Sequence, residues 1–200
     1  MYGIIYAAVG VQILIFAGIS FLIGERFRQL CSILTSEGKL IVADRLNGHF
    51  TLQQIWCLHC SLVNATEMFN SVYAVQLLLW ISSMSLNAMS RIYALNVYHV
   101  SGYLKARETM MALFCSWNIV LITIVCHTTA YQANRVGEII FAPSSSASMK
   151  RVFLQENLEA AAYFQLRKVH FSTVAGFIRV DLPLLLSIIS AMTTYLVILC

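Results

Sequence analysis

Charge is scarce in this sequence, and that scarcity argues against a soluble fold. Only 11% of the 200 residues are charged, 59% are hydrophobic, and the mean hydropathy is +0.74, whereas a soluble domain carries about 25% charge. Charged residues are absent from four mostly apolar stretches, 1–24, 68–90, 109–134 and 182–200. Because a helix rises about 1.5 Å per residue and a bilayer core is about 30 Å thick, each stretch predicts a membrane-spanning helix.

Motifs of the common enzyme classes are also missing. The sequence contains no Walker loop, GxSxG, HExxH or GxGxxG pattern. Cys126 and His127 are adjacent in the third uncharged stretch, but neighbours on a helix point about 100° apart and cannot form a nucleophile–base pair. We therefore predict that the chain is not an enzyme.

Cysteines predict neither a metal site nor a disulfide framework. Cys57 and Cys60 have CxxC spacing, and His59 and Cys31 are imaginable further zinc ligands. A structural zinc site, however, usually has a second ligand pair at defined spacing, which is missing here. The net charge of +4 is not arranged as a basic face with interleaved aromatics, so we predict no cofactor, no metal and no nucleic acid partner.

The basic residues predict the orientation in the membrane. Two lie between the second and third spans, Lys105 and Arg107, whereas the loops after the first and third spans contain Arg26, Arg28, Lys39, Arg45, Arg135, Lys150, Arg151, Arg167 and Lys168. By the positive-inside rule the latter loops are cytoplasmic. We predict a multi-pass plasma-membrane protein whose segments 25–67 and 132–172 are cytoplasmic and whose C-terminus is extracellular.

The predicted fold class is all-α, a polytopic transmembrane helical bundle forming a single membrane domain over residues 1–200. Its four spans cover about 2–24, 68–95, 108–131 and 180–200. Residues 46–66 have an apolar face at helical spacing and predict a helix that continues from the second span into water. Residues 152–170 also predict a mostly helical segment. Asp181 is a plausible N-cap of the last span, with Pro183 in its first turn.

Polar and aromatic side chains near the outer ends of the helices are candidates for a ligand pocket. One polar stripe of the second span consists of Gln76, Ser83, Asn87 and Ser90. Lipid cannot satisfy such a stripe, so it faces other helices or a cavity. Aromatics at this depth form either an interfacial belt or a pocket for an organic ligand. The pocket candidates are Tyr6, Asn87, Tyr93, Phe114 and Trp117.

The final helix carries the residues that point to a family. The stretch FSTVAGFIRVDLPLLLSIISAMTTYLVILC, residues 171–200, closely resembles the final region of insect gustatory receptors. The last helix of those receptors carries a signature of Thr-Tyr, five apolar residues and Gln-Phe. Here Thr194 and Tyr195 are followed by five apolar residues, and the sequence ends before the Gln-Phe pair. The stretches ANRVGEII and LHCSLVNATEMFNSVYAVQLLL also resemble receptor segments at the expected places.

The resemblance implies a fold and an activity. The spans would correspond to the fourth to seventh helices of a seven-helix receptor, in a chain truncated at both ends. Such receptors are ligand-gated cation channels of four subunits, so the implied partners are a small-molecule tastant, membrane lipid and further receptor subunits in a homo- or hetero-tetramer. The pore-lining candidates, spaced along one stripe of the last helix, are Ser187, Ala191, Thr194 and Ile198.

Within this interpretation, Ile198 would form an apolar ring that closes the pore by dewetting. Sugar-sensing members tend to have Glu directly after Thr-Tyr, and Leu196 here argues against a sugar ligand. Two alternatives remain at this point. The chain could be an odorant receptor of the same architecture, or a four-span assembly or transport protein unrelated to taste.

Overall fold

The structure, a computed structural model, describes residues 2–37, 52–97, 102–140 and 158–199. The regular elements in these ranges are all helical: α1 (Tyr2–Glu37), α2 (Leu52–Val97), α3 (Gly102–Ile140), α4 (Leu158–Leu166), a 3-10 turn (Val174–Gly176) and α5 (Leu182–Leu199). The predicted all-α class is therefore confirmed for the described part of the chain.

Helices α1, α2 and α3 are long and apolar enough to cross a membrane, and α5 is a shorter apolar helix. Both prolines of the sequence, Pro143 and Pro183, lie outside the three long helices, so no proline ring interrupts their backbone hydrogen bonds. The predicted spans 2–24, 68–95 and 108–131 fall within α1, α2 and α3. A fourth crossing by α5 stays a prediction.

The predicted helical extension of the second span is present where the structure describes it. Helix α2 begins at Leu52 and continues without a break to Val97; residues 46–51 of the predicted extension lie outside the described residues. The buried side chains of its first part, Ile55, His59, Val63 and Thr66, recur at intervals of three and four residues, as one face of a helix requires.

The chain forms two compact units, and each long helix contributes to both of them. The first unit comprises Met1–Ile19, Asn70–His127 and Phe171–Cys200. Its centre is a group of aromatic rings: Phe16 is fully buried, with its ring centroid 5.2 Å from that of Tyr73 and 6.0 Å from that of Trp80. The ring of Phe171 meets Phe16 edge-on at 6.5 Å. Edge-on contacts of this kind suit the quadrupoles of aromatic rings.

The second unit comprises Ser20–Phe69 and Thr128–His170. Its core is formed by side chains of α1, α2, α3 and α4 together with Val169: Phe27, Leu30, Cys31, Leu34, Ile55, Val63, Ala133, Val136, Phe164 and Val169. Two glycines let backbones approach closely. A Cβ at Gly24 would lie 3.0 Å from Thr129 Oγ1, and one at Gly137 would lie 3.1 Å from the backbone oxygen of Phe164.

The helix predicted over 152–170 ends earlier than expected. Residues 152–157 lie outside the described residues, and α4 ends at Leu166 rather than at His170. Beyond Leu166 the chain leaves the helix, and both polar backbone groups of Val169 bind the Asn134 side chain. The apolar periodicity of this segment carried no information about that tertiary contact.

A small hairpin follows within the first unit. The Val180 N–H donates to the Phe171 oxygen at 2.9 Å and the Thr173 N–H donates to the Ile178 oxygen at 2.9 Å. Gly176 at the turn has φ of 75°, a left-handed conformation that glycine adopts without strain. Asp181 then caps α5 as predicted, since its Oδ1 accepts from the Leu184 N–H at 3.1 Å.

Candidate functional site

Three of the five pocket candidates come together in the first unit. The Tyr6 hydroxyl of α1 donates to Asn87 Oδ1 of α2 at 2.9 Å. The ring of Phe114, on α3, meets the Tyr6 ring edge-on at a centroid distance of 6.3 Å. Gly10, one turn after Tyr6, leaves room for this ring, because a Cβ there would lie 3.1 Å from Phe114 Cζ. We refer to Tyr6, Asn87 and Phe114 as the outer cluster, after the orientation that the basic residues predict.

The polar stripe of the second span is only partly used for contacts between helices. Asn87 joins α1 to α2 through Tyr6, and its Nδ2 also donates to the Ser83 oxygen of its own helix at 2.8 Å. The Ser83 hydroxyl donates to the Trp80 oxygen one turn earlier. Gln76 and Ser90 are exposed. Interhelical hydrogen bonding, one of the two interpretations of the stripe, is therefore confirmed at Asn87.

An ion cluster lies on α2 and α3 of the same unit. Arg91, one turn beyond Asn87, donates from Nη1 to Glu108 Oε2, and Arg107 donates from Nη2 to Glu108 Oε1 at 2.6 Å. Glu108 is only 9% exposed. A carboxylate withdrawn from water to this extent needs compensation, and two guanidinium groups supply it with charge-assisted hydrogen bonds.

Together, the outer cluster and the ion cluster place several kinds of functional group on α1, α2 and α3 of this unit. The outer cluster offers an aromatic face, a phenol and an amide, and the ion cluster adds one carboxylate between two cations. A ligand with an acidic or amide group would compete for the same donors and acceptors that now join the helices. Because the existing bonds link α1 to α2 and α2 to α3, such competition would change the contacts between helices.

The other two pocket candidates are placed differently. Trp117 is 66% exposed and Tyr93 is half-buried; neither belongs to the outer cluster. Arg91 and Glu108 were not among the sequence candidates, although a signal existed. Arg91 is the first charged residue after the uncharged stretch 68–90, and Glu108 is the last charged residue before the uncharged stretch 109–134. The sequence therefore places opposite charges at the borders of two neighbouring stretches.

The four pore-lining candidates are all exposed on α5: Ser187, Ala191, Thr194 and Ile198. Ile198 is 76% exposed and its neighbour Val197 is 74% exposed. The hydroxyls of α5 bind backbone oxygens of their own helix: Ser187 binds Pro183 at 2.9 Å, Thr193 binds Ile189 at 2.8 Å, and Thr194 binds Ser190 at 2.9 Å. Such bonding to the preceding turn satisfies a hydroxyl without water. Tyr195 of the signature is 49% exposed.

The CxxC region is built around a histidine that is already bonded. His59 Nε2 lies 3.2 Å from the Ala133 oxygen, which can only accept, so Nε2 carries the proton. His59 Nδ1 then accepts from the Tyr163 hydroxyl at 3.1 Å. Burial raises the pKa of Tyr163 to about 12, so this hydroxyl keeps its proton. Among the described residues, no three His, Cys, Asp or Glu side chains come together as a metal site.

Long apolar helices with buried polar contacts between them define the class of this protein: a helical membrane protein. More particularly, the family model described as 7tm Chemosensory receptor matches residues 2–200, and the chain belongs to this family. This is a receptor family and not an enzyme family. No curated protein matches the chain.

Proposed function

We propose that this chain is a taste receptor subunit of a ligand-gated cation channel. Membership of the chemosensory receptor family supports a receptor, and the Thr194–Tyr195 signature favours taste over odour. The observation that carries the channel proposal is α5 itself. It is an 18-residue apolar helix whose candidate pore face remains exposed in the single chain, as a helix that completes its packing in a multimer would be.

The proposed assembly is a homo- or hetero-tetramer in the plasma membrane, surrounded by lipid. Helix α5 would provide the fourth crossing of this chain, with 25–67 and 132–172 in the cytoplasm and the end of α5 outside. Ser187, Ala191 and Thr194 would line the ion path, and Ile198 would form the ring that closes it by excluding water. A small-molecule tastant at the outer cluster would favour the open state only by binding it more tightly than the closed state.

Oocyte recording of the receptor expressed from its full transcript tests the pore assignment. Replacing Ile198 with serine should raise the resting cation current, because a polar ring no longer repels water. Val197→Ser is the matched control, since Val197 is equally exposed but lies on a different face of α5. If both variants leak equally, or neither leaks in a channel that responds to ligand, the gate assignment is wrong.

Ligand binding is tested at the outer cluster. Tyr6→Phe removes the hydrogen bond to Asn87 while keeping the ring against Phe114. We expect the tastant concentration for half-maximal current to change about tenfold, the scale of one lost hydrogen bond, with an unchanged maximal current. Tyr103→Phe is the control, since Tyr103 is 81% exposed. Equal responses of the two variants would place the ligand elsewhere.

A further inference from the structure

The chain between α4 and α5 is held by the amide side chains of two asparagines. In the second unit, Asn134 of α3 binds both backbone groups of Val169. Its Nδ2 donates to the Val169 oxygen at 2.9 Å and its Oδ1 accepts from the Val169 N–H at 2.8 Å. A neutral amide carries one donor group and one acceptor group, so it can bind both the N–H and the carbonyl oxygen of one residue. Val169 is 4% exposed, so no bulk water replaces these bonds.

The second contact lies in the first unit. Asn70 of α2 accepts from the Ser172 N–H at 3.1 Å through Oδ1, and its Nδ2 approaches Ser172 Oγ at 3.5 Å. Ser172 is 8% exposed. The preceding residue, Phe171, is almost fully buried and packs on Phe16. Ser172 is therefore fixed by a backbone hydrogen bond and by the burial of its neighbour.

The hairpin connects Ser172 directly to the start of α5. Its two ends are joined by the Val180 N–H bond to the Phe171 oxygen, and Val180 is 2% exposed. Asp181, the next residue, is the N-cap of α5. A displacement of Ser172 therefore displaces the start of α5 unless the hairpin bonds break.

We propose that Asn70 and Asn134 are positioning residues that set the start of α5 and thereby the equilibrium between closed and open channel. The proposal rests on the proposed function, in which α5 lines the pore. A role beyond stability follows from the helix on which Asn70 lies. Asn70 is on α2, the helix that also carries Asn87 and Arg91, so a ligand that moves α2 also moves a side chain bonded to the segment before α5.

Alanine variants test the contacts directly. Asn70→Ala and Asn134→Ala, in the receptor expressed from its full transcript and held in nanodiscs, should speed hydrogen exchange of the Ser172 and Val169 amides by about tenfold, as the loss of one hydrogen bond requires. Asn118→Ala is the matched control, because Asn118 is buried on α3 and its amide donates to the Phe114 oxygen of its own helix. Equal exchange in all three variants would overturn the proposal.

Aspartate variants separate the two contacts and keep the side-chain volume. Asn134→Asp keeps an acceptor for the Val169 N–H, but its second carboxylate oxygen faces the Val169 oxygen and neither of these two atoms can donate. This repulsion should push Val169 away, so the protection of its amide should fall. Asn70→Asp faces a serine hydroxyl, which can turn and donate to the carboxylate, so protection of Ser172 should persist. The reverse order of effects would contradict the assigned geometry, and Asn70→Asp remains informative if Asn134→Ala does not fold.

Positioning, as distinct from stability, is read from α5. With cysteine introduced by Ala191→Cys, the thiol modification rate above the background of native cysteines should change at least threefold in Asn134→Ala and remain constant in Asn118→Ala. The resting current and the half-maximal tastant concentration should shift together in the same variants. An unchanged thiol rate, or unchanged gating in a working channel, overturns the positioning role. A wild-type receptor without any tastant-evoked current refutes the proposed function instead, and the thiol rate still decides the positioning role.

Discussion

Replacing Gly24 with alanine should weaken the contact between α1 and α3 in the second unit. Ser20 and Gly24 are one turn apart and form a small-xxx-small pair, which lets helix backbones approach closely in membranes. The Thr129 hydroxyl occupies this contact and donates to the Ser20 oxygen at 2.9 Å. An added Cβ at Gly24 would lie 3.0 Å from Thr129 Oγ1 and 3.4 Å from Thr129 Cα. The hydroxyl cannot turn away without losing its bond to Ser20, and the Cα cannot move alone.

The expected magnitude follows from two opposing effects. Overpacking of a close contact costs about 1–3 kcal/mol of unfolding free energy, whereas alanine is favoured over glycine within a helix by about 1 kcal/mol. Gly18→Ala, also on α1, isolates the second effect, because a Cβ there meets no described atom within 4 Å. The difference between the two variants should therefore be about 1–3 kcal/mol, with Gly24→Ala the less stable.

Thermal unfolding of the chain in detergent, followed by fluorescence-detected size exclusion, measures this difference. For a chain of this size 1 kcal/mol corresponds to roughly 2–4 °C in Tm. Thr129→Ala removes the nearest atom, so the combined variant Gly24→Ala with Thr129→Ala should lose less stability than the sum of the single variants. If Gly24→Ala and Gly18→Ala have the same Tm, the close approach of α1 and α3 is refuted.

Three further predictions concern other contacts. Gly137→Ala should lower the Tm, because the added Cβ would lie 3.1 Å from the Phe164 backbone oxygen. Limited proteolysis should then cleave the chain near α4 sooner than in the wild type. Unchanged cleavage would contradict this packing. Thr173→Val should raise stability by about 1–2 kcal/mol, since its buried Oγ1 has no hydrogen-bond partner among the described residues and the change removes an unsatisfied hydroxyl; a lower Tm would show that the hydroxyl is bonded. Burial raises the pKa of Tyr163 to about 12 from about 10 in the unfolded chain, so the stability that the protonated hydroxyl gives the folded state is complete below pH 10 and is lost as pH rises through 12. The Tm measured between pH 9 and 12 should therefore depend less on pH in Tyr163→Phe than in the wild type. An identical slope would exclude this ionisation.

Much of the architecture could be predicted because it depends on composition alone. Three of the four predicted spans, 2–24, 68–95 and 108–131, fall within long helices, since lipid admits few charges and requires satisfied backbone groups. The cap at Asp181 was equally accessible, because a carboxylate before an apolar run and a proline in the first turn are local signals. Tyr6 and Phe114 were chosen as aromatics near the predicted outer ends of the helices and Asn87 as part of a polar stripe, and the structure places them in contact.

What could not be predicted depends on the alignment of one helix against another. The partners of Glu108 follow from how α2 and α3 are aligned, which local sequence patterns do not determine. The contact that holds the chain after α4 likewise joins Val169 to Asn134, which is distant in sequence. The apolar pattern of the segment contains no sign of this contact, in which the Val169 N–H donates to Asn134 Oδ1.

The hydroxyls of α5 bring their hydrogen-bond partners with them, because Ser187, Thr193 and Thr194 each bind the preceding turn. A helix of this kind can exchange a dry environment for a wet one without breaking a polar contact on either side. In the proposed channel, wetting or drying the pore would then change the free energy mainly through the apolar side chains. A single ring of isoleucines could therefore determine whether the pore is filled with water or dry.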